Sequence, residues 1–121
     1  MARILIIDDN AVDRKLARIL LGVHGYAILE VANAEEGLRV ARSLPPDLIL
    51  MDINMPNMDG MTATKLLKSD PATADIMIIA LTVYDQEKIK DAGCDGYIKK
   101  PFHPETFLRE IGKMLGKRHI V

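Results

Sequence analysis

Three aspartates lie at the ends of two short apolar runs. Asp8 and Asp9 follow residues 4–7, and Asp52 follows residues 48–51. Three carboxylates about 5 Å apart would repel one another by roughly 3 kcal/mol per pair at an effective dielectric constant of ~20. Such a cluster must hold a cation or keep a proton. Because only oxygen ligands are on offer, a hard ion such as Mg²⁺ (or Mn²⁺) fits best.

A hydroxyl and an ammonium group end two further predicted strands. Thr82 follows residues 76–81, and Lys100 follows residues 96–99. Beside a metal-bound carboxylate, these groups form a phosphoryl-binding set, since the cations neutralise phosphoryl oxygens and the hydroxyl donates a hydrogen bond. Asp52 would then be the nucleophile that forms an aspartyl-phosphate.

Taken singly, these residues have simpler explanations. Asp8 or Asp9 could cap a helix, and Asp52 could form a turn. Thr82 alone is an ordinary strand residue, and Lys100 alone an ordinary solvated lysine. The simpler explanations do not account for their joint placement at the carboxyl ends of four of the five predicted strands. The placement therefore favours a functional site.

Strands and helices alternate along the whole chain. The predicted strands cover residues 4–7, 26–31, 48–51, 76–81 and 96–99. The predicted helices cover 11 to about 23, a segment that Asn33 caps, about 60–68, 85–92, and a last segment that begins at Pro104. This alternation predicts a parallel sheet with helices on both faces.

Apolar periodicity assigns a face to two of these helices. On the first predicted helix, one face carries Val12, Leu16, Ile19, Leu20 and Val23. The last predicted helix should bury Phe107, Leu108, Ile111 and Leu115.

The order of the strands follows from which of them can be buried on both sides. Strands one, three and four are continuous apolar runs, as expected for central strands. Strand two carries Glu30, and strand five is short and carries Tyr97 and Lys99, so these two suit the edges. Right-handed crossovers then give the order 2-1-3-4-5. In such sheets ligands bind beyond the carboxyl ends of the strands, where the order reverses between strands one and three.

Length and composition exclude several classes of protein. The 121 residues suffice for one domain, 1–121, with a hydrophobic core. Because 16 basic residues nearly balance 17 acidic ones, the chain lacks the basic excess expected of a nucleic-acid-binding protein. No apolar run is long enough to span a membrane, and no secretory signal is present, so we expect a cytoplasmic protein. The single cysteine, Cys94, is expected to be a small buried residue rather than a redox sensor.

Several motifs together resemble the response-regulator receiver domains of two-component signal transduction over nearly the whole length. The matching segments are residues 4–10 (ILIIDDN), 46–60 (PDLILMDINMPNMDG), 80–82 (ALT) and 92–101 (AGCDGYIKKP). The resemblance implies a flavodoxin-like (βα)5 three-layer sandwich with a sheet of order 2-1-3-4-5. It also implies a phosphorelay protein, of the single-domain type, that receives its phosphoryl group from a sensor histidine kinase or a histidine phosphotransfer protein.

The same resemblance assigns roles to the metal-binding residues. Asp52 becomes the phosphorylated residue and also a ligand of Mg²⁺. Asp9 binds the ion directly, Asp8 acts through metal-bound water, and the backbone carbonyl of Asn54 supplies another ligand.

The resemblance further implies a conformational switch. Lys100 contacts the phosphoryl group, and its bond to Pro101 is expected to be cis. Thr82 is the switch hydroxyl that moves toward the phosphate. Tyr97 matches the aromatic position whose ring turns inward as Thr82 moves.

Two features depart from the pattern of the family. Val83 follows Thr82 where a small residue is usual, and its methyl groups are expected to narrow the approach to the phosphate. Thr82 and Lys100 are 18 positions apart, whereas the resemblance implies about four more, which is roughly one helical turn. The missing residues fall in the loop after strand four or in the fourth predicted helix.

Three other functions fit parts of the pattern. A phosphatase of the haloacid dehalogenase type also forms an aspartyl-phosphate, but such enzymes usually carry an aspartate where this chain has Asn54. A binding module could hold the metal for structure alone. A transcription factor would need a DNA-binding domain, and we expect none after the last predicted helix unless the sequence is a fragment of a longer protein. We therefore expect no enzyme beyond self-phosphorylation and self-dephosphorylation, and no nucleic-acid or membrane partner.

Overall fold

The computed structural model describes residues 2–83 and 92–119, which contain five strands and four helices. The strands are β1 (Arg3–Ile7), β2 (Ala27–Val31), β3 (Leu48–Asp52), β4 (Met77–Thr82) and β5 (Gly96–Lys99). The helices are α1 (Ala11–Val23), α2 (Ala34–Ser43), α3 (Gly60–Ser69) and α4 (Pro104–His119). The helix predicted over residues 85–92 lies outside the described residues except for its last position, so α4 corresponds to the fifth predicted helix.

All five strands pair in parallel, in the order β2-β1-β3-β4-β5. The predicted order is confirmed. The three central strands are buried almost throughout, whereas Glu30 on β2 and Tyr97 and Lys99 on β5 are exposed. The polar residues that placed these two strands at the edges therefore do face solvent.

Helices cover both faces of the sheet and create two separate core layers, which gives the predicted three-layer sandwich. Successive strand residues point to opposite faces, so the three central strands supply both layers. Helices α1 and α4 pack on one face, against Ile4, Ile6, Leu48, Leu50, Ile79, Leu81 and Ile98. Helices α2 and α3 pack on the other, against Leu5, Ile7, Ile49, Met51 and Ile78.

The apolar faces predicted for two helices have different outcomes. On α4 the expected residues are buried or, for Leu108, partly buried in the core. On α1 the expected face is mostly exposed, because Ala17 and Leu21 are the residues that pack fully against the sheet. Val12 is 76% exposed and Val23 is 79% exposed.

Side-chain caps fix where three of the helices begin. Asn10 accepts hydrogen bonds from the first-turn amides of α1, and Asp59 accepts one from the first turn of α3. Asn33 accepts from the amide of Glu36 at 2.8 Å, so the predicted cap of α2 is confirmed. Each cap of this kind contributes about 1 kcal/mol. Asn10 is therefore the N-cap residue of α1, and Asp8 and Asp9 are not.

None of the helices in the described part of the chain combines the length and the apolar character needed to cross a bilayer.

Candidate functional site

The three predicted aspartates lie close together at the carboxyl ends of the central strands. Asp8 and Asp9 directly follow β1, and Asp52 is the last residue of β3, the strand paired with β1 on the side away from β2. One carboxylate oxygen from each aspartate lies within 4.8 Å of those from the other two. Asp8 and Asp52 are buried, and Asp9 is exposed. The cluster therefore opens to solvent on the side of Asp9.

Backbone amides hold two of these carboxylates in place. The amide of Asn10 donates to Oδ1 of Asp8 at 2.9 Å, and the amide of Asn54 donates to Oδ1 of Asp52 at 3.2 Å. Each hydrogen bond joins a strand end to the loop that follows it, so the carboxylate orientation depends on the loop backbone.

The first residue of α3 must approach the backbone of Asp52 closely. A Cβ atom on Gly60 would lie 2.2 Å from the carbonyl oxygen of Asp52, where no side chain fits. The amide of Gly60 donates to the carbonyl of Ile53 at 3.1 Å. A glycine at this position therefore lets α3 start directly beneath the loop that carries the site.

Lys100 links three carboxylates. Its Nζ atom lies 3.0 Å from Oδ2 of Asp8, 3.0 Å from Oδ2 of Asp13 and 3.6 Å from Oδ1 of Asp52. The backbone amide of Lys100 donates to the carbonyl of Thr82 at 2.8 Å, which ties the end of β5 to the end of β4. The bond from Lys100 to Pro101 is cis, as expected.

Burial and charge together control the ionisation of this cluster. Burial, followed by the negative charge of Asp8, raises the pKa of Asp52 from 3.8 to about 7, although Lys100 acts in the opposite direction. Burial alone would lower the pKa of Lys100, but hydrogen bonds to Asp13 and Asp8, together with the negative charges of Asp8 and Asp52, outweigh it and raise that pKa. The cluster has more negative charge than Lys100 can neutralise, and its donors are all oxygens. These properties fit a hard divalent cation.

Asp9 and Asp52 line an open crevice of about 420 Å³, together with Asn10, Asn54, Val83 and Lys100. Val83 is 54% exposed at its rim. Thr82, the residue before Val83, is buried at the end of β4. The structure thus brings the predicted metal ligands and Lys100 together, with Thr82 beside them.

Tyr97 lies away from this crevice. It is 37% exposed on β5 and lines a separate groove of about 310 Å³ between β5 and α4. Its register partner in β4 is Ala80, two residues before Thr82. Tyr97 is therefore connected to the crevice through the β4–β5 pair.

Two charged residues at the site were not predicted from the sequence. Asp13 binds Lys100, and Nη1 of Arg14 donates to the carbonyl of Asp8 at 2.8 Å. Both lie in the first turn of α1, four and five residues after Asp9. That position in the sequence was the available signal, but only the packing of α1 shows that the two side chains point back toward the strand end.

Cys94 is partly buried and packs near Ile53 and Ala80. Burial raises the pKa of its thiol, which disfavours the reactive thiolate. This environment agrees with the predicted packing role.

The chain matches a family model over residues 4–112, and that model describes the response regulator receiver domain. The chain belongs to this family. A related receiver protein, the polar-differentiation response regulator DivK of Brucella anthropi, is 39% identical over 117 residues, which cover 93% of this chain and 95% of that protein. Members of this family act in signalling rather than in catalysis.

Solved receiver structures share the fold. The chemotaxis protein CheY4 of Vibrio cholerae superposes with a TM-score of 0.87 at 30% identity, covering 93% of this chain and 98% of that one. The receiver domain of the sensor histidine kinase PA1611 from Pseudomonas aeruginosa superposes with a TM-score of 0.88 at 29% identity, covering 95% of this chain and 98% of that one. The latter structure has a magnesium ion coordinated in its active-site cleft.

Proposed function

We propose that this receiver domain accepts a phosphoryl group on Asp52 in a Mg²⁺-dependent reaction and then changes conformation to control a partner protein. The donor is a phosphohistidine on a sensor histidine kinase or a histidine phosphotransfer protein. The observation that carries the proposal is the position of Asp52, which is buried within 4.8 Å of two further carboxylates and 3.6 Å from Lys100.

In the transfer step, a carboxylate oxygen of Asp52 forms a bond to phosphorus as the phosphorus–nitrogen bond of the phosphohistidine breaks. The electron pair of that bond stays with the imidazole, which takes up a proton. Only the ionised carboxylate is a good nucleophile. Because the pKa of Asp52 is about 7 without a metal ion, positive charge in the crevice would increase the reactive fraction at neutral pH.

The donors needed for the ion are present in the crevice. Asp9, Asp52 and the backbone carbonyl of Asn54 would bind Mg²⁺, and Asp8 would act through water. When bound, the ion supplies positive charge that neutralises the phosphoryl oxygens. The magnesium ion in the related PA1611 receiver supports this assignment.

The residues of β4 and β5 would couple the phosphoryl group to a change of shape. Lys100 contacts a phosphoryl oxygen, and the hydroxyl of Thr82 moves toward another. Tyr97, now partly exposed, would turn inward as Thr82 moves. The direct backbone link between Lys100 and Thr82 supports a joint movement.

Phosphorylation by a small acyl phosphate and by a phosphorylated histidine kinase tests the proposal. We expect covalent phosphate on the wild-type chain with Mg²⁺ and none with EDTA. Asp52→Asn should abolish it, because an amide is a far poorer nucleophile. Asp75→Asn, which changes an exposed aspartate before β4 at the opposite edge of the sheet, should behave as wild type. Intact-mass measurement and peptide mapping give the readout.

Labelling of the Asp52→Asn variant at another residue would contradict the assignment, as would labelling that is unaffected by EDTA. The phosphatase alternative makes a different prediction, which is repeated turnover of a generic phosphomonoester. We expect no such turnover. A structural metal site alone would bind Mg²⁺ but accept no phosphate from a kinase.

A further inference from the structure

The ammonium group of Lys100 has a partner outside the metal-binding cluster. Oδ2 of Asp13 lies 3.0 Å from Nζ, as close as Asp8 and closer than Asp52 at 3.6 Å. The backbone amide of Asp13 donates to the cap residue Asn10 at 3.0 Å, so the start of α1 fixes its position. Asp13 is not among the three carboxylates that surround the candidate metal position.

We propose that Asp13 is a positioning residue that competes with the phosphoryl group for the ammonium of Lys100. This inference rests on the proposed function. In the unphosphorylated chain the ammonium is shared between Asp8 and Asp13 and lies farther from Asp52. A phosphoryl group on Asp52 gains the full attraction of Lys100 only as the contact with Asp13 weakens.

Removal of the Asp13 charge should have opposite effects on cations and anions in the crevice. Without Asp13, the ammonium keeps Asp8 and Asp52 as its carboxylate partners within residues 2–83 and 92–119, and these are also needed by Mg²⁺. Binding of Mg²⁺ should therefore weaken. An anionic group attached to Asp52 should bind more tightly, because it meets less negative charge and a more available ammonium.

A structural explanation of Asp13 also exists. An acidic residue in the first turn of a helix stabilises that helix through the helix dipole. Loss of that effect would lower stability and disturb the site as a whole. It would not weaken the binding of a cation while strengthening the binding of an anion.

The experiment compares wild type with Asp13→Asn, using Mg²⁺ alone and then beryllofluoride, a phosphoryl mimic, at saturating Mg²⁺. We expect Mg²⁺ affinity to fall about threefold to tenfold and beryllofluoride affinity to rise by a similar factor, as for a partly exposed ion pair. Asp13→Ser provides a second neutral variant. Glu35→Gln, which removes an exposed first-turn charge from α2, should change neither affinity by more than about twofold. Calorimetry and amide NMR signals give the affinities.

Asp13 could act on Mg²⁺ binding through Lys100 or through its own negative charge. Repeating the comparison in a Lys100→Ala background separates these two effects. In this background, Asp13→Asn should have little effect on Mg²⁺ affinity. An equal effect in both backgrounds would overturn the proposal, and so would affinities that fail to move in opposite directions. If the wild-type chain bound neither Mg²⁺ nor beryllofluoride, the proposed function itself would fail, which is a distinguishable result.

Discussion

Asp52 lies in surroundings that oppose its own ionisation. Its burial and the nearby charge of Asp8 raise its pKa to about 7, against 3.8 for an ordinary aspartate. The folded chain without a metal ion therefore retains a proton on Asp52 at pH values where the unfolded chain has lost it. Placing a nucleophile here costs stability, and a bound cation would recover part of that cost.

The first prediction concerns the pH dependence of stability with EDTA present. Below about pH 4 Asp52 is protonated in both states, and above about pH 7 it is ionised in both. Between these values the folded state binds more protons, so the contribution of Asp52 to the free energy of unfolding falls as the pH rises. Asp52→Asn should remove this loss. At pH 8 the variant should be more stable than wild type by up to about 4 kcal/mol, since one pKa unit corresponds to about 1.4 kcal/mol.

Urea unfolding from pH 4 to 8 measures the effect, with Glu35→Gln, which removes an exposed carboxylate from α2, as the control. The control should lack the gain in stability that Asp52→Asn shows at pH 8. Saturating Mg²⁺ should reduce the stability difference between wild type and Asp52→Asn. Parallel profiles of wild type and Asp52→Asn in EDTA would show that Asp52 has an ordinary pKa in the folded chain.

Helix α1 has apolar residues on two sides, and only one side packs on the sheet. Ala17 and Leu21 are buried, and Leu20 is partly buried. The other side leaves Val12, Leu16, Ile19 and Val23 exposed at spacings of four, three and four residues. We call these four residues the α1 stripe. The helix begins at Ala11, next to Asn10 in the crevice lining, so the stripe is continuous with the rim of the site.

The second prediction is that a protein phosphodonor contacts the α1 stripe. A donor that brings phosphohistidine to Asp52 must cover the rim of the crevice, where the stripe begins. Ile19→Ser should therefore slow phosphotransfer from a phosphorylated donor protein by about tenfold, as expected for an apolar contact within an interface. Phosphorylation by a small acyl phosphate should stay within about twofold of wild type, because the crevice itself is unchanged.

Leu66→Ser is the matched control, because it also replaces an exposed apolar side chain of the same size by serine, but on α3, which packs on the other face of the sheet. It should leave both reactions as in wild type. Equal transfer rates for wild type and Ile19→Ser would exclude the stripe from the donor interface. A parallel loss with the small acyl phosphate would instead indicate damage to the site.

At the scale of the whole molecule, parallel topology explains why much of the site could be predicted. Asp52 ends β3, and Asp8 and Lys100 directly follow β1 and β5. The carboxyl ends of parallel strands lie together on one side of the sheet. The ion pair between Lys100 and Asp13 could not be predicted, because it depends on the rotation of α1 about its own axis. That rotation also decides which apolar side of α1 is buried. Periodicity shows that a helix has an apolar face, but does not choose between two such faces.

The pairing of β4 with β5 connects the crevice to a distant surface. Thr82 aligns with Lys99, and Ala80 aligns with Tyr97. The carbonyl of Thr82 also accepts the amide hydrogen bond of Lys100. A movement of Thr82 toward a phosphoryl group would therefore displace β5 and, with it, the groove that Tyr97 lines against α4.

The last prediction tests this connection with Thr82→Ala. The variant should still be phosphorylated on Asp52. Because it lacks the hydroxyl that moves toward the phosphoryl group, β4 should pass a smaller displacement on to β5. In wild type, phosphorylation should shift the amide NMR signals of β4, β5 and the Tyr97 groove. In Thr82→Ala, shifts near Asp52 should remain, while those on β5 should fall to less than about half, as expected when one member of a coupled pair is lost.

Thr62→Ala, on an exposed part of α3, is the control and should keep the full wild-type pattern of shifts. If Thr82→Ala retained that full pattern as well, the signal would reach β5 by way of Lys100 alone, and the hydroxyl of Thr82 would have no part in the switch.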